Sequence, residues 1–190
     1  NSKGELVCKN PFPSMPLKFW NDKSDKKYKD AYFNRFTNTW HHGDFAEIKD
    51  TGGFIIHGRS DTTLNPGGVR LGTAEIYSEV EKFTQIKESI VVGQSWDNDV
   101  RIILFIVMNK KFKFTEDLLA QIKLKIKINA SPRHVPSKVI VVNDIPRTKS
   151  GKIVELAVKN MIDGNNIKNK EALANPQALE QFKNLRELNY

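Results

Sequence analysis

Apolar positions in residues 1–58 come in short bursts broken by turn-forming residues. Glu5-Leu6-Val7-Cys8 reads as a strand, and Gly53-Phe54-Ile55-Ile56-His57-Gly58 as a compact apolar strand bounded by glycines. Pro11-Phe12-Pro13 and Gly52-Gly53 act as punctuation. The stretch from Asn21 to Lys29 is charged and predicts a loop. Tyr28, Tyr32, Phe33 and Phe36 follow at helical spacing, an arrangement that points to core packing.

Beyond Asp61 the pattern alternates between helical and strand periods. Ile76, Val80 and Phe83 form one helical face behind an acidic first turn. Ser89–Gly93 and Val100–Met108 are apolar runs separated by Asp97-Asn98-Asp99, which predicts a hairpin of antiparallel strands. Thr115–Ile128 predicts a helix opened by Thr115 and Glu116, although Ile122, Leu124, Ile126 and Ile128 alternate with lysines as a strand would. Lys138–Val142 reads as a third strand, and Ser150–Met161 as a helix with Ile153, Leu156, Ala157 and Met161 inward. From Asp163 the chain is polar, with an amphipathic piece around Leu179, Phe182, Leu185 and Leu188 expected to pack as an appendage. The expected fold class is α+β: a small antiparallel or mixed sheet flanked by helices, preceded by a β-rich piece. The expected division is 1–60 and 61–190.

The 190 residues, 39% of them hydrophobic, can bury one good core plus a small appendage. No run approaches the roughly 20 apolar residues of a membrane helix, and the N-terminal residues do not read as a signal peptide, so no membrane partner and a cytoplasmic location are expected. The lone Cys8 has no internal disulfide partner, which fits a reducing compartment, and it joins no metal-ligand pattern. The chain opens on a strand-like phrase without Met and reads as a fragment of something longer. Its formal charge is +8, and Arg59 onward holds 21 basic against 15 acidic residues. Such a balance favours polyanionic partners: nucleic acids, anionic membranes, or phosphorylated small molecules.

Several short phrases carry chemistry. In Trp40-His41-His42-Gly43-Asp44 a carboxylate held at a Gly turn has the acceptors for a ribose diol, and an ordinary turn Asp is the plain alternative. Adjacent histidines point apart, so His41 and His42 are not read as a metal pair. Asn65-Pro66-Gly67-Gly68-Val69-Arg70 joins a turn to two residues without side chains, which permits close approach by a slim ligand. Arg147-Thr148-Lys149-Ser150-Gly151-Lys152 is a basic loop leading into a helix; on its own it equally reads as a solvated charge run or a nucleic-acid contact. Lys123, Lys125, Lys127 and Arg133 make a basic strip that also suits a wet helix face.

Taken in order, Gly58-Arg59-Ser60-Asp61, Gly67-Gly68-Val69-Arg70, Thr73-Ala74-Glu75-Ile76 and Pro146-Arg147-Thr148-Lys149-Ser150-Gly151-Lys152 resemble the C-terminal part of the adenylate-forming acyl-CoA synthetases. The resemblance spans essentially the whole chain and implies the end of a large adenylation domain followed by a mobile lid domain. It implies that Asp44 and Arg59 contact the ribose or adjacent phosphate of the nucleotide and that Arg70 contacts a nucleotide phosphate. It makes Asp61 the hinge, Gly67 and Gly68 the contacts of the pantetheine arm, and Lys127 or Arg133 the grip on the CoA 3′-phosphate. Lys152 becomes the catalytic cation of adenylation and a target for a lysine acetyltransferase and deacetylase; Glu75 is structural. Tyr77 stands where many relatives have Glu, and Lys149 where many have Arg.

Pro13-Ser14-Met15-Pro16 with Phe19-Trp20, and Leu173-Ala174-Asn175-Pro176 with Phe182-Lys183-Asn184-Leu185, resemble the acetoacetate-activating branch, with the acetate-activating branch as nearest competitor. The implied substrates are acetoacetate, ATP with Mg2+, and CoA; the implied partner is the adenylation domain of the same protein. The isolated chain is then expected to be inactive. A basic binding or regulatory module for nucleic acid remains the alternative of another class, although few aromatics interleave with the lysines as base stacking requires.

Overall fold

The computed structural model describes residues 2–167 and 169–190. The chain divides into two compact units, Asn1–Asp61 and Thr62–Tyr190. No helix among the described residues is long and apolar enough to cross a membrane.

The first unit is an antiparallel sheet of β1 (Ser2–Cys8), β2 (Trp40–Ile48) and β3 (Phe54–Arg59), with β2 central. The long β1–β2 connection carries one short helix, α1 (Lys26–Tyr32). It starts inside the stretch expected to be a loop and ends at Tyr32, so Phe33 and Phe36 lie beyond it. Seven residues are too few for a helix to hold itself; aromatic packing holds this one. Tyr32 stacks on buried Trp40 at 3.7 Å between ring centroids, while Phe12 and Phe33 meet the same indole edge-on. Asp22 receives the Tyr28 N–H at 2.9 Å.

Across β2 and β3, buried Glu47 and His57 face each other at 3.0 Å, and Lys49 and Lys3 reach the same carboxylate at 2.7 and 3.4 Å. The Lys49 ammonium foremost, with His57 and Lys3, holds the Glu47 carboxyl down at about 2 against its desolvation. The apolar strand β3 keeps Phe54, Ile55 and Ile56 exposed, at 61, 40 and 47%.

In the second unit the sheet order is β4–β5–β6: β4 (Ile86–Trp96), β5 (Asp99–Met108) and β6 (Lys138–Val141). β4 and β5 are antiparallel, closed by Asp97-Asn98, both with positive φ, as a tight twisted hairpin requires. β6 adds in parallel, making the sheet mixed. Because strand side chains alternate between faces, the apolar run of β5 serves two cores. Ile103, Phe105 and Val107 join Ile90 and Val92 in one; Ile102, Leu104 and Ile106 join Val91 in the other.

The second core is closed by α2 (Ala74–Val80), through Ile76 and Val80, and by α3 (Glu116–Asn129). Thr115 caps α3 by accepting the Leu118 N–H at 3.2 Å. Leu118, Ile122 and Ile126, four residues apart, point inward, whereas Leu124 and Ile128 are exposed. Helical periodicity therefore prevails over the two-residue alternation in that segment.

The first core is closed by α4 (Glu155–Ile162) together with the tail. α4 begins five residues later than expected, since Arg147 and Ile153 pair as a bridge and Gly151 takes φ +83°. Ala157 and Val158 face inward, and Ile153 and Leu156 are partly exposed. The tail is no appendage. Leu179, Phe182 and Leu188 are buried in the core, with Phe182 edge-on to Phe105 at 4.9 Å. Their spacing of three is the 3-10 repeat, matched by the 3-10 segments Pro176–Phe182 and Arg186–Leu188. Two-turn α4 alone leaves this face uncovered, and the tail covers the rest. Arg101 secures it by donating to the Leu188 and Tyr190 carbonyls at 2.6 and 2.9 Å while its guanidinium lies 3.7 Å from the Trp96 ring centre.

Phe182→Ala is expected to cost about 3–5 kcal/mol in urea unfolding, where an appendage would lose almost nothing. Glu47 has a folded-state pKa below its ordinary 4.5, so its contribution is present above about pH 4.5 and disappears as pH falls toward about 2. The urea-midpoint difference between wild type and Glu47→Gln should shrink across that window; a constant difference contradicts the assignment.

Candidate functional site

The residues singled out in the sequence fall into one cluster in the first unit and two separate loops in the second. In the first unit, Asp44 lies within β2, not at a turn, and pairs in register with Arg59 at the end of β3. A bulge follows at Phe45/Ala46, which re-aims side chains at the strand end. His42 Nδ1 and Arg59 Nη1 approach the two Asp44 oxygens at 2.8 and 3.3 Å. Each carboxylate oxygen has two lone pairs, so one donor apiece leaves acceptor capacity on both.

Arg59 also donates to the His42 carbonyl at 3.2 Å, and its Nε lies 3.6 Å from Asp61. The structure therefore gathers Asp44, Arg59 and Asp61. Gly43, with φ +87°, makes this possible: a Cβ there would sit 2.6 Å from Arg59 Nη2. Tyr32, Arg35, His41, Gly43, Arg59 and Asp61 line a cleft of about 570 Å³. His41 is held instead by Glu5, at 3.2 Å.

In the second unit, Leu64 and Leu71 bond each other's backbone at 2.9 and 2.8 Å, and both are buried. They hold the glycine loop as a closed hairpin outside the core. Gly67 and Gly68 take φ of +58° and +75°, conformations that side chains resist. Three of the loop's amide protons are already occupied: Gly67 on the Asp99 carboxylate at 2.9 and 3.0 Å, Gly68 on the Asn65 carbonyl at 3.4 Å, and Val69 on the Pro66 carbonyl at 3.2 Å. Such a loop suits a slim, uncharged arm better than a phosphate, which needs free N–H donors. Arg133 stands beside it, its Nη1 3.8 Å from where a Gly67 Cβ would be. Arg70 bonds Thr63 Oγ1 at 3.1 Å, and Lys127 is exposed in the last turn of α3.

The lysine loop is a hydrogen-bonded turn. Thr148 N–H donates to the Lys152 carbonyl at 2.8 Å, and Lys152 N–H to Thr148 Oγ1 at 3.1 Å. Arg147 spans it, donating to the Gly151 carbonyl at 3.0 Å and pairing with Glu88 on β4 at 3.1 Å. The tail lies alongside: Thr148 bridges Leu173, the Lys149 N–H donates to the Ala172 carbonyl at 3.1 Å, and the Ala174 N–H donates to the Arg147 carbonyl at 2.8 Å. Lys152 closes this turn and is exposed.

Glu88 pairs with Val107, while Asp99 opens β5. Eight strand residues at roughly 3.4 Å each separate the lysine end from the glycine end, about 27 Å. Tyr77 ties the helices behind them: its hydroxyl donates to Glu155 on α4 at 2.5 Å and accepts the Val91 N–H at 3.0 Å. Burial, with the Glu155 charge, pushes that hydroxyl's pKa well up, so it stays protonated.

Sequence reasoning missed Asp99, Arg147 and the Glu47–His57 pair as organisers. Asp99 carried a signal, a carboxylate at a hairpin tip, though nothing linked it to Gly67.

Residues 75–152 match the AMP-binding enzyme C-terminal domain. The chain is 59% identical over 186 residues to acetoacetyl-coenzyme A synthetase of Rhizobium meliloti (strain 1021), covering 98% of this chain and 29% of that protein. Identity to acetoacetyl-CoA synthetase of Xenopus tropicalis is 48% over 187 residues, 97% of this chain and 28% of the relative. The solved acetoacetyl-CoA synthetase from Streptomyces lividans superposes with a TM-score of 0.88 at 39% identity, covering 96% of this chain and 28% of that one. The chain thus spans less than a third of the length of these relatives.

Gly43→Ala is expected to destabilise the first unit by about 1–3 kcal/mol through its left-handed φ and to displace Arg59 besides. In an Arg59→Ala background the clash part of that loss should vanish in urea unfolding; an unchanged loss would show that Arg59 does not rest on Gly43.

Proposed function

We propose that the chain belongs to the AMP-forming acyl-CoA synthetases and works as the C-terminal part of an acetoacetate–CoA ligase. The reaction has two steps. An acetoacetate oxygen attacks the α-phosphorus of ATP, forming acetoacetyl-adenylate and expelling pyrophosphate. The CoA sulfur then attacks the acyl carbon, and AMP leaves as the acyl–oxygen bond breaks.

The observation that carries the reading is the placement of the two loops. The lysine loop is tied through Arg147 to Glu88 near one end of the β4–β5 ladder and the glycine loop to Asp99 at the other, about 27 Å away along the strand. Neither end can serve a reacting centre while the other occupies it, so a two-step reaction calls for the domain to turn between steps. Asp61, where the chain passes from one compact unit to the next, is the proposed hinge.

In the first step Lys152 supplies positive charge where negative charge develops on the phosphate oxygens. Asp44 accepts from the ribose hydroxyls, with Arg59 beside it to donate to ribose or phosphate, and Arg70 contacts a phosphate. In the second step Gly67 and Gly68 border the pantetheine arm, and Arg133 or Lys127 holds the 3′-phosphate. Mg2+ accompanies ATP. Among the described residues no three His, Cys, Asp or Glu side chains form a metal site, so no residue of this chain is assigned to it. The partner is the adenylation domain of the same protein, and acetylation at Lys152 would remove the charge that the first step uses.

The test is AMP release by the full-length protein with ATP and CoA, comparing acetoacetate with acetate. Acetoacetate should be preferred, and Lys152→Ala should lower adenylation about 10²–10³-fold while thioester formation from preformed adenylate persists. No CoA-dependent AMP release with either acid would overturn the reading.

A further inference from the structure

Gly67 offers its N–H to both oxygens of a carboxylate that lies 32 positions downstream, Asp99, at 2.9 and 3.0 Å. Asp99 is the first residue of β5 and follows Asp97-Asn98, whose positive φ angles turn the hairpin so that the carboxylate meets the loop. Its side chain is exposed and contributes nothing to either core. The bond is charge-assisted and holds a glycine at φ +58°, a residue type that by itself tolerates several backbone states. Arg133 borders the same glycine, its guanidinium 3.8 Å from the position of a Cβ.

From this geometry we propose that Asp99 is a positioning residue for the thiol-transfer step. It fixes the Gly67–Gly68 backbone to the tip of the β4–β5 hairpin, so that the face presented to the pantetheine arm is already formed when CoA arrives. The leucine pair behind the loop closes its two ends, and Asp99 determines the path of the chain between them. The inference rests on the ligase reading above and assigns the residue to one half of that reaction. The Lys152 end of the domain, at the far side of the ladder, does not depend on it.

The experiment separates the half-reactions in the full-length protein carrying Asp99→Ala or Asp99→Asn. Pyrophosphate release without CoA should be unchanged in both. Thioester formation from preformed adenylate should fall about 10–100-fold in Asp99→Ala, with KM for CoA raised. Asp99→Asn, which keeps an acceptor oxygen, should recover most of the loss. Amide hydrogen exchange at Gly67 should quicken in Asp99→Ala. Equal loss in both half-reactions, or unaltered thioester formation in an active enzyme, overturns the inference alone. A wild type that makes no thioester overturns the ligase reading and this inference together.

Discussion

The second unit depends on a single antiparallel ladder, β4 against β5. Ten register pairs run from Ile86/Met108 to Trp96/Asp99, and both faces of the pair are apolar. Alternation sends Phe105 one way and Leu104 the other, so neither face can be left to water. One face draws in α2 and α3, and the other draws in α4 and the 3-10 tail. Every element that carries a candidate functional residue in this unit is attached to that ladder or to a helix packed on it.

The same ladder fixes what the unit presents to its surroundings. Loops at its two ends are closed by different means: the glycine loop by the Leu64/Leu71 pair and Asp99, the lysine loop by Arg147, Thr148 and the passing tail segment. Each is an ordered turn with its backbone donors largely satisfied. Under the proposed ligase function, the length of the ladder converts one domain into two tools that are used in succession. The tail is part of that arrangement, because the residues beside the lysine loop lead directly into those that fill the core through Leu179 and Phe182.

Much of this was readable in the sequence where local physics decides. The run Val100–Met108 reads as a strand, Asp97-Asn98-Asp99 as the turn before it, and Thr115 ahead of Glu116 and Asp117 as a helix start. Reading failed where partners are distant or periods unusual. The spacing of three in Leu179, Phe182, Leu185 and Leu188 fits a 3-10 path rather than an α-helix, and its burial follows from a gap that only α4's shortness reveals. Leu156, expected inward, is exposed, and Val158, which the sequence reading did not single out, is buried on an α4 that starts five residues late, after the turn at Gly151. Glu47 with His57, and Gly67 with Asp99, meet only through strand pairing or hairpin geometry. The candidate roles of Asp44, Arg59, Asp61 and Lys152 came from motif order alone, since no pattern of polarity marks them.

The central claim, that one domain uses its two ends in succession, is tested most directly by a distance. Spin labels at Lys125→Cys on α3 and at a site on the adenylation domain of the full-length protein would be measured in two states: with ATP and an unreactive acid analogue, and with AMP and CoA. Since the two loops are anchored about 27 Å apart along the strand, the account predicts a change of tens of ångströms between the states. The same distance in both would contradict it.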